Sequence, residues 1–207
     1  MSSFANLPRK SIDTTDEVVS LFNVVFFEEF NTRLQGGAEE PLYIPALSSI
    51  NGYIDTDDTV VNPASAIIYF RHNYLSSALH EISHWTIVGK KRRQLEDYGY
   101  WYETDERTKE AQKKFEEVEI KPQAIELLLH IAIDLPFRVS VDNLSLLDYD
   151  SEPFLKEVIQ QARIYCEVGI PVRAKRFIKA LITGRDYQLS HFNFPLEDWL
   201  LTELASL

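Results

Sequence analysis

The chain has 207 residues, 45% hydrophobic and 26% charged, with a formal net charge of −11 at pH 7. That length buries a sizeable core in one domain, residues 1–207, while so acidic a balance argues against direct nucleic-acid contact, which needs a basic face. The single cysteine, Cys166, excludes an intrachain disulfide, no apolar run spans a bilayer, and MSSFANLPRK lacks a signal-peptide core, so a cytoplasmic protein without membrane contact is expected.

Residues 14–36 read as a core helix. Thr14 or Thr15 suits the N-cap, Asp16 and Glu17 the first turn, and Gly36-Gly37 the far end. Val18, Val19, Leu21, Phe22, Val25, Phe26, Phe30 and Leu34 supply its apolar band. LYIPA then reads as a strand and NGYIDTDDT as a polar loop. Asp55, Asp57 and Asp58 lack the glycine and terminal glutamate of a calcium loop at the required offsets, so a solvated loop is expected. AIIYF, residues 66–70, reads as a strand that leads into the following helix and forms the edge facing a metal cleft. His72 in the turn between them is either a surface histidine or a neighbour of the site.

The stretch LSSALHEISHWTIVG, residues 75–89, carries the strongest signal. In a helix, His80 and His84 lie about 40° apart in azimuth and ~6 Å apart along the axis, so both imidazoles leave one face. Two such imidazoles need only one further ligand to complete a transition-metal site. Leu79, Ile82 and Ile87 anchor the helix in a core, and Gly89 with the following KKRR suits its end. The plainer alternative is two packed histidines in an amphipathic helix. Lys90 to Arg93 are either a solvated helix end or a patch that steers an acidic partner. In YGYWYE, Tyr98, Tyr100, Trp101 and Tyr102 pack a core face or wall a channel.

Residues 105–132 have helical composition, with Pro122 either starting a new helix or kinking one. Glu116, Glu117, Glu119 and Glu126 are the carboxylates available as a third ligand. Glu119 heads EIKPQAIELLL, as the ligand glutamate does in many HExxH proteins, and is the first choice. Glu126 lies seven residues on, nearly on the same face, and is the reserve. His130 reads as a packed helix residue. Arg138 with Asp142 or Asn143 supplies contacts around the site or closes a turn, and Asp142 is a candidate acceptor for a ligand histidine's second nitrogen. Residues 152–168 form a helix ended by Gly169, with Phe154, Leu155, Val158, Ile159, Ala162 and Tyr165 buried; Cys166 reads as a packed small hydrophobe. Residues 171–183 form another, with Arg173, Lys175, Arg176 and Lys179 on its polar side. The tail, FPLEDWLLTELASL, reads as a short helix with Trp199 and Leu200 inward, and His191 sits in a loop without a role.

The expected fold class is α+β: a helix-rich single domain with a small sheet flanking the HExxH helix. Two chemistries fit the ligand pattern. Three protein ligands on octahedral Fe(II) leave positions open for oxygenase chemistry. The same three on zinc leave one position for an activated water, which makes a metallopeptidase with Glu81 as general base. In a hydroxylase Glu81 would instead hold a water by hydrogen bonding or orient a histidine. HExxH on its own favours the zinc peptidase.

Five motifs in order reverse that preference. HEISHW, YGYWY, VEIKPQAIE, PFRVSVDNL and PVRAKRFIKAL, between about residue 60 and about residue 183, together resemble the elongation factor P hydroxylase family. The resemblance implies a monooxygenase-type hydroxylase acting on the β-lysyl-modified lysine of translation elongation factor P. It implies a non-haem metal taken to be Fe(II), with zinc or another divalent ion able to occupy the purified protein. It carries His80, His84 and Glu119 over as metal ligands, with Glu81 beside them. Because elongation factor P is expected to be acidic, the cations of residues 171–183 become a docking surface to test.

Overall fold

In a computed structural model, residues 14–46, 64–99, 108–141, 149–183 and 196–207 are described. Among them are α1 (Thr15–Phe30), β1 (Thr32–Ala38), β2 (Leu42–Ile44), β3 (Ala66–Arg71), α2 (Leu75–Ile87), α3 (Lys109–Ala132), α4 (Glu152–Val168), α5 (Val172–Thr183) and α6 (Leu196–Leu204). The three strands form one mixed sheet in the order β1-β3-β2. β1 runs parallel to β3 with Leu34 opposite Ile68, and β2 runs antiparallel with Tyr43 opposite the same residue. The architecture is the expected helix-rich α+β. β3, however, is the central strand and not an edge.

The first helix is shorter than its apolar period suggests, and the shortfall becomes a strand. Thr14 caps α1 by accepting from the Glu17 N–H, and Asn31 stops it in the left-handed conformation, φ 46° and ψ 41°. Asn is among the few residues that take this conformation readily. The Asn31 side chain donates to Ala64 O at 2.9 Å, and the Asn31 backbone carbonyl accepts from Ala66 N–H at 2.9 Å, which brings the start of β3 beside the start of β1. Asn23 of α1 then pairs with both backbone groups of Leu34, which fixes α1 against β1. Gly36 does not end a helix. A Cβ there would lie 2.7 Å from both Phe70 Cζ and His72 O, so the position serves a close approach across the irregular end of the β1–β3 pairing.

A cluster of aromatic rings holds α1, α2 and α5 together. Phe22, Phe26, Trp85 and Phe177 are fully buried, and Trp85 meets Phe22, Phe26 and Phe30 with ring centroids 4.9–5.3 Å apart. Trp85 follows His84 directly, so the face of α2 that enters this cluster fixes the rotation of the helix and turns the histidine stripe toward α3. The C-terminus of α2 differs from expectation. Val88 leaves the helix in an extended conformation with no left-handed glycine. The exposed carbonyls are taken by guanidinium groups instead: Arg173 of α5 donates to Trp85 O at 3.0 Å and to Val88 O, and Arg93 donates to Val88 O at 2.9 Å. Cations at this end also meet the negative pole of the helix.

α3 runs without interruption through Pro122, starting at Thr108, whose hydroxyl accepts from Ala111 N–H. α4 and α6 cover its far side with Phe154, Val158, Ala162, Leu196, Leu200 and Leu204 buried, and Trp199 packs half-buried against them. Cys166 is buried, and burial pushes its thiol up to about 12, so it is packing and not a nucleophile.

Candidate metal centre

Residues 122–130 of α3 are buried on all sides, so every polar side chain there needs a partner. Gln112, Glu116, Glu119, Gln123, Glu126 and His130 follow one another at alternating spacings of four and three, a single stripe along the helix. That stripe faces the histidines of α2 and the chain that follows α3. His130 Nδ1 donates to Pro136 O at 2.9 Å, Gln123 exchanges two hydrogen bonds with the Ser140 backbone, and Gln112 donates to Val141 O. Tyr149 closes the stripe by donating to Glu116.

At its centre, three ligand atoms converge. His80 Nε2 and His84 Nε2 stand 3.1 Å apart, and Glu119 Oε2 lies 3.4 Å from His84 Nε2 and 3.8 Å from His80 Nε2. Donors about 2.1 Å from a shared ion stand about 3.0 Å apart at 90° and about 3.6 Å apart at 120°. The three separations therefore fit a metal ion, and His80, His84 and Glu119 could hold one. Glu119 is 2% exposed and His84 9%, whereas the His80 side chain is 24% exposed. The open side of the centre is at His80.

Glu126 does not join this trio. Its Oε2 accepts from His80 Nδ1 at 2.8 Å, and its Oε1 lies 3.6 Å from His130 Nε2. This fixes the plane of the ring and, with a metal bound, would leave His80 Nε2 as the ligating nitrogen. Gln123 similarly reaches Glu119 Oε2 at 3.3 Å. The charges reinforce one another. Burial works against a charged His80, yet Glu126, then Glu119 and Glu81, hold it up at about 10. Burial would raise Glu119, but His84, with His80 and Gln123, brings it down to about 2.

The remaining sequence candidates fall elsewhere. Glu117 is exposed, and Glu116 serves Gln112 and Tyr149. His72 is a surface residue 3.9 Å from Glu39. Tyr98 is a core residue, 4% exposed. Arg138 is exposed on the segment after α3. Asp142, Asn143, Tyr100, Trp101, Tyr102, Asp55, Asp57, Asp58 and His191 lie outside the described residues. For His80, the acceptor at the second ring nitrogen is Glu126. Glu81, between the two histidines, is half-buried, and His80, His84 and Glu119 all act on its carboxyl electrostatically. Glu126, His130 and Gln123 are the residues whose part in the site the sequence did not give away. Their signal was present all the same: a four-three polar stripe through a stretch of helix otherwise made of Ala, Ile and Leu.

A family model described as elongation factor P hydroxylase matches residues 21–193. An elongation factor P lysine hydroxylase from Haemophilus influenzae is 43% identical over 182 residues, covering 86% of this chain and 95% of the relative. With the family model spanning most of its length, and a relative this similar covered nearly end to end, the chain belongs to the elongation factor P hydroxylase family.

Proposed function

We propose that this chain hydroxylates the β-lysyl-modified lysine of elongation factor P as a monooxygenase-type enzyme, with non-haem Fe(II) held by His80, His84 and Glu119. The observation that carries the reading is the convergence of two imidazole nitrogens and one carboxylate oxygen within 4.8 Å, in a chain of this family. Two histidines and one carboxylate leave positions open on iron, as in non-haem oxygenases. Bound there, the ion supplies the oxygen and electron chemistry that side chains lack. In the overall reaction a C–H bond of the side chain becomes C–OH. One atom of dioxygen enters the product, and the other leaves as water with two protons and two electrons from an external reductant.

The protein's own groups prepare that reaction. Glu126 holds His80 through Nδ1, and Gln123 holds Glu119. Glu81 is assigned the handling of a proton. Burial raises its carboxyl above the ordinary range, with Glu119 and Asp97 adding to the rise and His80 and His84 opposing it. An opening on the His80 side suits a long lysine-derived side chain presented by a protein, met in the cytoplasm where translation factors work. The rival, a zinc metallopeptidase with Glu81 as general base, uses the same ligands but has only the HExxH spacing in its favour.

The test compares β-lysylated with unmodified elongation factor P after incubation with iron-loaded protein, reductant and air. Fragment mass spectra should locate one added oxygen on the modified lysine and none on the unmodified factor. Zinc in the purified protein, cleavage of a peptide library and no added oxygen would favour the rival.

A further inference from the structure

The chain that leaves α3 turns back along it and is held there by the polar stripe. His130 Nδ1 donates to Pro136 O at 2.9 Å, and Gln112 donates to Val141 O at 3.0 Å. Between them, Gln123 donates to Ser140 O at 2.8 Å and accepts from Ser140 N–H at 2.9 Å. His130 and Gln123 lie seven residues apart on the helix, about 10 Å along its axis. The returning chain covers that span between Pro136 and Ser140, four residues on. Only an extended backbone does so, reaching about 13 Å where a helical one reaches about 6 Å. The side chains alternate accordingly: Phe137, Val139 and Val141 are half-buried against the core, and Pro136, Arg138 and Ser140 are exposed.

Successive residues of an extended chain turn their backbone N–H and C=O to opposite edges. Pro136 and Ser140 turn theirs toward α3, so Phe137 and Val139 present theirs on the far edge. No backbone group of either has a hydrogen-bond partner among the described residues. This segment also borders the metal centre. The Gln123 nitrogen that reaches Ser140 O lies 3.3 Å from Glu119 Oε2, and His130, which holds Pro136, lies 3.6 Å from Glu126, the acceptor of His80 Nδ1. Arg138, midway between the two anchors, is exposed and pairs with no carboxylate among the described residues.

We propose that residues 137–139 are the docking rail for the protein substrate. An extended segment of that protein, the one bearing the modified lysine, pairs with the N–H and C=O of Phe137 and Val139 and sets a carboxylate on Arg138. Pairing of main chain with an unpaired edge grips a substrate whose backbone stays outside while one long side chain enters. The rail rests on the hydroxylase reading and adds to it the surface that holds the substrate's backbone beside Glu119.

The test uses metal-free protein and β-lysylated elongation factor P, so that binding is read apart from turnover. On binding, amide-resolved hydrogen exchange should slow at least about tenfold at Val139 and change little at Ser140, whose N–H Gln123 already holds. Val139→Pro removes the N–H and tolerates an extended backbone. It should raise Kd at least about tenfold, whereas Val139→Ala, which keeps the N–H, should raise it less than about threefold. Arg138→Gln should raise Kd several-fold at low salt and less as salt is added. Unchanged exchange at Val139, or equal Kd for Val139→Pro and the wild type, overturns the rail, and equal Kd for Arg138→Gln at low salt removes the carboxylate from it. Should Val139→Pro lower the Tm, exchange in the wild type decides by itself. A wild type that, loaded with iron, adds no oxygen to the factor refutes the hydroxylase reading instead, and the proposal with it.

Discussion

Glu119 and Glu126 lie seven residues apart on α3, and each meets a different nitrogen of His80: Nε2 at 3.8 Å for Glu119, Nδ1 at 2.8 Å for Glu126. The first is placed to bind a metal with the histidines, the second to hold a histidine from behind. Glu119→Ala should therefore abolish metal binding, while Glu126→Ala should weaken it about 10–100-fold without abolishing it, as measured by titration with a divalent metal. The reverse ranking would exchange their roles. His80 and His84 were legible as a pair because a helix puts residues four apart on one face, and Glu119 was singled out by its place at the head of EIKPQAIELLL. The division of labour between the two glutamates was not, because it depends on how deep α2 sits against α3. The same charges set the pH response of the metal-free protein. His80 is raised from 6.5 to about 10, so its stabilising contribution is complete below 6.5 and is lost as pH rises through about 10. Glu119 is lowered from 4.5 to about 2, so its contribution is complete above 4.5 and is lost as pH falls through about 2. From these two groups, metal-free stability is greatest between 4.5 and 6.5. Urea melts taken from pH 6.5 up to about 10 should show the alkaline decline, and metal should remove it by taking the proton's place on His80.

At the scale of elements, the boundary between α1 and β1 shows where a periodic pattern misleads. Leu34 lies where a continued helix would bury it, and it is buried, but as a strand residue opposite Ile68. Two local features decide the matter: Asn31 in the left-handed conformation and Gly36 under the Phe70 ring. Neither reveals its purpose until β3, more than thirty residues away, is in place beside β1. Gly36→Ala puts a methyl group 2.7 Å from backbone and ring atoms and should destabilise the protein by about 1–3 kcal/mol, read as a lower urea midpoint with an unchanged slope. An unchanged midpoint would mean that the β1–β3 pairing yields at that point. Other elements were plain in the sequence. AIIYF, the HEISH helix and the helix at 152–168 appear close to their expected limits. α2 nevertheless ends by a long-range device, the guanidinium of Arg173 from α5, which no local pattern announces.

For the whole molecule, an acidic enzyme acting on a protein expected to be acidic needs cations that remain available. α5 offers few. Arg173 caps α2, Arg176 pairs with Glu29 and Lys175 with Glu197, so the polar side of that helix works mainly within the chain. In the KKRR run, Arg92 and Arg93 hold backbone carbonyls, while Lys90 and Lys91 are exposed. Charge reversal of both lysines should lower kcat/KM at low salt several-fold with little change in kcat, and the difference should shrink as salt is added. Equal values at low salt would rule out steering by this pair. The α+β class and the placement of the metal centre between two helices were readable from composition and motif order. The use of so many surface cations as internal caps was not, since it follows from packing between distant segments. The central claim, that His80, His84 and Glu119 hold the metal that hydroxylates elongation factor P, has one direct measurement. It is the intact mass of β-lysylated elongation factor P after reaction with iron-loaded wild type and with His80→Ala. The account predicts a gain of one oxygen atom with the wild type and none with the variant. No gain with the wild type, or an equal gain with both, would contradict it.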